Sequence, residues 1–342
     1  MRMKRQHKKM VGRGIYILFL CAFLMLGLCA CEKGGDKEET AQRKERGVSV
    51  DNGSLNNDSV VIAVGKTTVT YKEYKVYDHF MKTQYEDILT EDVWNYKADG
   101  AAKSIGQEAV EDVVRLIIQV QVINRVAQEQ GVELAADEKE AASHNASQYY
   151  AALGEEEKGE GKIEQAVLTK IFEQNRLAEK MYNIVLGKVN VNVTQEQARA
   201  ARVQLIFLSA ADNNKEEVRQ RAEQLAAEAK NRKGSFYRLA KQNTQLDEVE
   251  SLVGQLDARP NLVSAVLGMK TGAVSDVIQE TNGFYIAYCV EAVNDSLNEE
   301  YKKQVVEERQ TKAFQDEYAT WSEKFGVRVS KSLLAADAEN GM

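Results

Sequence analysis

Along this chain the spacing of apolar residues switches from a helical period to a strand period and back, and that switch limits the folds open to it. From Tyr71 the apolar residues recur every three or four positions: Tyr74, Tyr77, Phe80 and Met81, then Val110, Val113, Val114, Ile117, Ile118, Val120, Ile123 and Val126 before Gly131. That is the repeat of helices with one buried face. Ser104 and Gln107 have the spacing of a capping box at the start of the clearest helix. Its apolar arc is wider than a surface helix needs, so other elements should wrap it. Asp137 to Leu153 and Ile163 to Leu186 read as further helices, parted by the acidic loop Gly154 to Lys162 and stopped by Gly187. Val60 to Val64 and Thr67 to Thr70 precede them as two short extended pieces. Residues 59–195 are therefore expected to form a mainly helical domain.

Near Thr194 the pattern changes. Val203 to Leu208 reads as a strand, Lys215 to Arg232 as an amphipathic helix, and Gly234-Ser235 as its stop and the cap of a short helix carrying Phe236, Leu239 and Ala240. Gly254-Gln255-Leu256 is turn-like, and Pro260 opens another short helix. Val274 to Gln279 and Phe284 to Val290 then read as two strands around Thr281-Asn282-Gly283. This order predicts a small α+β domain over 196–295, a sheet covered by helices. Beyond it, Leu297 to Phe325 reads as one long helix with Tyr301, Val305, Phe314, Tyr318 and Trp321 as anchors, ending in the strand-like Val327 to Val329. Such anchors need a partner surface. The helix is expected to return to the first domain over 296–335, making the α+β unit an insertion in one helical body.

The first thirty residues read as an address. Arg2, Lys4, Arg5, Lys8, Lys9 and Arg13 form a basic region without acids, followed by the apolar run Ile15 to Leu28. That run is shorter than the roughly 20 residues of a membrane span and suits a secretory signal. It ends in Leu28-Cys29-Ala30-Cys31, which looks like a bacterial lipobox with Cys31 as the lipidated mature N-terminus. Residues 31–58, rich in charge, Gly, Ser and Asn, read as a disordered tether with an r.m.s. reach of roughly 30 Å. The expected location is extracytoplasmic, lipid-anchored to the cell membrane.

Composition excludes several chemistries. Of 342 residues, 45 are Lys or Arg and 52 Asp or Glu. Loss of residues 1–30 removes six cations and no acid, leaving 39 − 52 = −13, which argues against a nucleic-acid partner. His7, His79 and His144 leave little for zinc or triad chemistry, and neither a metal nor a cofactor is expected. With Cys31 lipidated, Cys289 has no intramolecular disulfide partner, and the alternating run Phe284 to Val290 makes it a buried strand thiol.

The segment from about 200 to 292 resembles a parvulin-type peptidyl-prolyl isomerase domain. The matching pieces, in order, are Gly234-Ser235-Phe236-Tyr237-Arg238-Leu239-Ala240, Gly254-Gln255-Leu256, Leu267 to Asp276 (LGMKTGAVSD), and Asn282-Gly283-Phe284-Tyr285-Ile286. With the lipobox and the helical N-terminal domain, the chain over about 59–330 resembles extracytoplasmic foldases of the PrsA and SurA kind. The resemblance implies a SurA-like helical chaperone domain interrupted by a parvulin domain with a small antiparallel sheet. It also implies unfolded or proline-containing secreted polypeptides as partners, with a homodimer left open.

Family positions carry over as follows. The two histidines common in active parvulins fall on Gln204 and Tyr285, and 197–295 contains no histidine. The central Cys or Asp falls on Leu246 or Asp247, of which Asp247 is preferred. Asn282 joins Gln204, Asp247 and Tyr285 as the expected catalytic set. Leu256, Leu262 (at the phenylalanine position of the proline pocket, after a shortened loop) and Phe284 are the expected substrate-binding set. Ser209 to Asn214 lacks the basic cluster that a phosphorylated substrate would want.

The chemistry itself needs no nucleophile. Rotation about a peptide C–N bond faces a barrier of ~18–20 kcal/mol because resonance is lost in the twisted state, and X–Pro bonds interconvert in tens to hundreds of seconds. A catalyst needs an apolar pocket for the proline ring and polar groups that bind the twisted amide better than the planar one. Three readings stay open from sequence: a membrane-tethered foldase with isomerase turnover, a holdase whose parvulin domain has lost turnover, and a solute-binding lipoprotein. The last would need repeated βα units, against which the long helices speak.

Overall fold

The computed structural model describes residues 48–86, 91–98, 100–160, 162–211, 214–231 and 235–339. The signal segment, Cys31, most of the expected tether, and Gly234 lie outside the described residues. Two compact units emerge: one from the residues up to Lys188 together with those from Thr311 on, the other from Val189 to Gln310. From sequence, the divisions were expected at 195/196 and 295/296.

The first unit opens with the hairpin β1 (Val60–Val64) and β2 (Thr67–Thr70), followed by α1 (Tyr71–Glu86), a 3-10 turn at Glu91–Asn95, α2 (Ile105–Glu129), α3 (Ala136–Ala152) and α4 (Gln165–Leu186). The Ser104–Gln107 capping box is present at the start of α2 in both directions. β7 (Val327–Val329) pairs antiparallel with β1, Ile62 opposite Val329, giving a sheet in the order β2-β1-β7. The core gathers Ile62, Tyr74, Val113, Ile117, Ile123, Leu168, Ile171 and Met181. Phe314 and Trp321, from the C-terminal half of α8 (Asp295–Ser322), belong to that same core. Glu73, buried within α1, accepts the Thr70 N–H and hydroxyl and pairs with Lys170 at 2.6 Å.

Two expectations change here. Residues 48–58, read as tether, are tied down: the Val48 and Asp51 N–H groups donate to the Gly65 and Val60 carbonyls, and the Lys331 N–H donates to Asn52 Oδ1 at 2.8 Å. The Asp and Asn side chains that made this stretch look disordered supply local backbone bonds instead. After β7 the chain also continues into α9 (Lys331–Glu339), where Leu333 is fully buried and Ser330 Oγ accepts its N–H.

The second unit is a four-stranded antiparallel sheet in the order β4-β3-β6-β5: β3 (Ala200–Ser209), β4 (Glu250–Gly254), β5 (Ile278–Glu280) and β6 (Gly283–Glu291). Helices α5 (Lys215–Asn231) and α6 (Phe236–Asn243) cover one face, with Ile206, Leu225, Leu239, Phe284 and Ile286 in that core. The short α7 (Pro260–Val266) covers the other, with Val203, Leu205, Leu262, Ile278, Tyr285 and Ala287. The N-terminal half of α8 contributes Tyr301 and Val305 to a small cluster with Val193, Ala198 and Ala200. The anchors of the long helix are thus divided, and only Phe314, Tyr318 and Trp321 serve the first unit. Overall the architecture is α+β, helices with small antiparallel sheets.

Candidate functional site

Strand alternation decides which side chains can meet. Phe207 lies opposite Tyr285 in the β3–β6 ladder, Leu205 opposite Ala287, and Gln204 opposite Tyr288. Val203, Leu205, Phe207 and Tyr285 therefore share the α7 face. Gln204 shares the α5/α6 face with Ile206 and Leu208. Gln204 and Tyr285, both expected in the catalytic set, are not brought together, because strand alternation places them on opposite sides of the sheet. Phe284 fails as a substrate contact for the same reason: it is 1% exposed within the α5/α6 core.

Tyr285 is the centre of what does assemble. Its ring stacks on Phe207, centroids 4.6 Å apart, and its hydroxyl oxygen accepts the Asn282 side-chain N–H at 3.1 Å. Asn282 sits in the tight β5–β6 connection, where Gly283 has φ 147° and a Cβ would collide with the Leu208 carbonyl. Only glycine brings Asn282 and Tyr285 so close at the end of β6. Phe207 is fixed by its own backbone: its N–H donates to Thr244 Oγ1 and its carbonyl accepts the Gln245 N–H, both at 3.0 Å.

Asp257 and Arg259, unassigned by sequence, complete the set. The Arg259 Nε and Nη2 donate to the two Asp257 oxygens at 2.8 and 2.6 Å, and its backbone N–H donates to the same carboxylate. The guanidinium carbon lies 5.4 Å from the Tyr285 ring centre. The bonds to Asp257, with a contribution from the Tyr285 oxygen, hold the guanidinium firmly in its charged form. Burial alone would raise the Asp257 carboxyl, but the side-chain and backbone bonds from Arg259 outweigh it and hold it below the ordinary aspartate range. A depressed carboxyl contributes stability that is present above the unfolded value of about 3.9 and lost as pH falls through the lower folded value. Asp257→Asn should therefore flatten the acid limb of the stability curve below about pH 4, read by denaturant unfolding at several pH values.

The remaining expected residues disperse. Asp247, the preferred candidate for the central position, is exposed, whereas Leu246, its alternative, packs against the α7-side core. Leu262, on the buried face of α7 itself, is fully buried and its N–H donates to Glu280 Oε1 at 2.9 Å, making it core rather than an open floor. Leu256 is 40% exposed, its N–H held by the Tyr301 hydroxyl at 3.2 Å. Gly254 permits this, since a Cβ there would meet the Tyr301 ring. Cys289 is buried, and burial pushes its thiol up, away from nucleophilic use. Among the described residues no cluster of His, Cys, Asp and Glu is placed to hold a metal ion, and no helix is long and apolar enough to cross a membrane.

Residues 204–291 match the family described as "Rotamase: PPIC-type PPIASE domain". Among solved structures, a PpiC-type peptidyl-prolyl cis-trans isomerase domain is similar at 22% identity, covering 29% of this chain and 94% of its own, with a TM-score of 0.27. The peptidylprolyl isomerase PrsA of Bacillus anthracis is similar at 18% identity, covering 65% of this chain and 94% of its own, with a TM-score of 0.35. A SurA-like chaperone of Campylobacter jejuni is similar at 12% identity, covering 80% and 99%, with a TM-score of 0.31. No curated protein gives a significant match.

Proposed function

We propose, for a chain whose residues 204–291 form a PPIC-type peptidyl-prolyl isomerase domain, that it is an extracytoplasmic foldase. In this reading it is tethered by lipid on Cys31, holds unfolded secreted chains on its helical unit and turns over X–Pro bonds at Tyr285. The observation that carries the reading is the Tyr285 hydroxyl, fixed by Asn282 beside the stacked Phe207 ring. A phenol has one proton to donate and two acceptor sites. With Asn282 donating to the oxygen, the proton is available to an acceptor that a substrate brings. A twisted X–Pro amide has lost its resonance and holds a localised lone pair on nitrogen and a less delocalised carbonyl. A fixed donor that meets this state better than the planar one lowers the barrier to rotation, without covalent chemistry. The aromatic wall offers the proline ring an apolar contact.

One observation favours the holdase reading as a rival. Tyr285 is only 2% exposed and Leu262 is fully buried, so substrate entry requires the rim to move. The two readings separate in the refolding of a client limited by X–Pro isomerisation, using residues 32–342. A foldase with turnover speeds the slow phase at substoichiometric amounts; a holdase suppresses aggregation only near stoichiometry and leaves that phase unchanged. For the anchor, Cys31→Ala is expected to release the chain from the membrane fraction. Mass spectrometry of the native N-terminus should show a lipidated Cys31, and an unmodified, soluble mature chain would refute it.

A further inference from the structure

Phe207 and Arg259 both cover the Tyr285 ring: Phe207 stacks on it at 4.6 Å, and the guanidinium carbon of Arg259 lies over it, 5.4 Å from its centre. With both in place Tyr285 is 2% exposed. Phe207 is held in the sheet and packs against the α7-side core. The backbone around Arg259 is held on both sides. Upstream, the Gln255 and Leu256 N–H groups donate to the Arg199 carbonyl and the Tyr301 hydroxyl. Downstream, the Arg259 carbonyl accepts the Val263 N–H, and Asn261 and Leu262 donate to Gln279 and Glu280 of β5. What can move is therefore the Arg259 side chain. It is 25% exposed, so its way out leads to water, where a cation regains hydration. What keeps it in is the fork onto the two Asp257 oxygens, at 2.8 and 2.6 Å, and the attraction of a cation for the face of a ring.

We propose that Arg259 is a latch: in the free protein its guanidinium, clasped by Asp257, occupies the face of Tyr285 on which a proline ring must lie, and substrate enters by displacing it. The proposal rests on the isomerase reading above, which places the substrate at Tyr285. A latched site does not bind, so the apparent dissociation constant is the intrinsic one divided by the unlatched fraction. Removing the cation restores that factor. Weakening the fork alone restores part of it.

The test uses residues 32–342 with Arg259→Ala, Asp257→Asn and the two combined. The combined variant leaves no half-buried carboxylate without its partner, and decides if Arg259→Ala does not fold. Peptides with an uncharged residue before proline are titrated by NMR, so that loss of the cation does not itself change their attraction. A soluble gadolinium chelate reports how accessible the Tyr285 ring protons are in the free protein. Expected is peptide affinity about ten-fold higher in Arg259→Ala and in the combined variant, with a smaller rise in Asp257→Asn. The Tyr285 ring should broaden more than in wild type in all three. In exchange measurements KM should fall while kcat stays within about two-fold. Unchanged or weaker affinity in the variants, or a ring no more accessible than in wild type, overturns the latch and leaves the isomerase reading standing. If no peptide perturbs Tyr285 in wild type or variants, the site reading is refuted and the latch falls with it.

Discussion

Tyr285→Phe is expected to lower isomerase kcat/KM by about a hundred-fold, the scale of losing one preorganised donor at a site of developing charge. The substitution removes a single oxygen. It keeps the ring that stacks on Phe207 and the apolar volume on the α7 face. Asn282 is exposed and can turn to water once its acceptor is gone, so the change in unfolding free energy should stay within about 1 kcal/mol. Activity and stability are thus expected to separate. Peptide affinity should persist, because the apolar contact is untouched. A variant with wild-type turnover would remove Tyr285 from the mechanism and leave the α7 face as a binding surface.

Phe314→Ala is expected to cost about 3–5 kcal/mol of the first unit's stability, measured by denaturant unfolding of the full chain. Phe314 is 1% exposed, and its ring meets Tyr182 at 4.9 Å and Trp321 at 5.9 Å, both edge-on. Truncation leaves a cavity among residues from both parts of the chain that build this unit. Collapse is restricted because those neighbours belong to different elements. A loss below about 1 kcal/mol would mean that the C-terminal half of α8 does not seal this core.

What could be read from the sequence, and what could not, follows from the range of each interaction. The helices of the first unit were legible because the Val110 to Val126 spacing and the Ser104–Gln107 box are local patterns with one physical outcome. The order of elements over 200–291 was legible from strand alternation and glycine placement. The site was harder, because motif position and face are different questions. Gln204 was expected at a family position, but Val203, Leu205 and Phe207 alternate with it, and that parity already places Gln204 on the far side from Tyr285. Read as alternation, the strand would have pointed to Phe207. Asp247 and Leu246 differ likewise by one residue, and only the fold shows that it is the leucine that packs against the α7-side core. Asp257 and Arg259 had a visible i, i+2 spacing before Pro260, but nothing local says that their fork points at a ring on β6. The division of α8 anchors between two cores was illegible for a related reason: one apolar stripe does not state how many surfaces it meets.

The most direct measurement is exchange NMR on a panel of Xaa-Pro peptides with catalytic amounts of residues 32–342. The account predicts cis–trans exchange that accelerates in proportion to protein concentration and is lost in Tyr285→Phe. Peptide binding with no acceleration in the wild type would contradict it, leaving a chaperone that keeps the isomerase fold without its turnover.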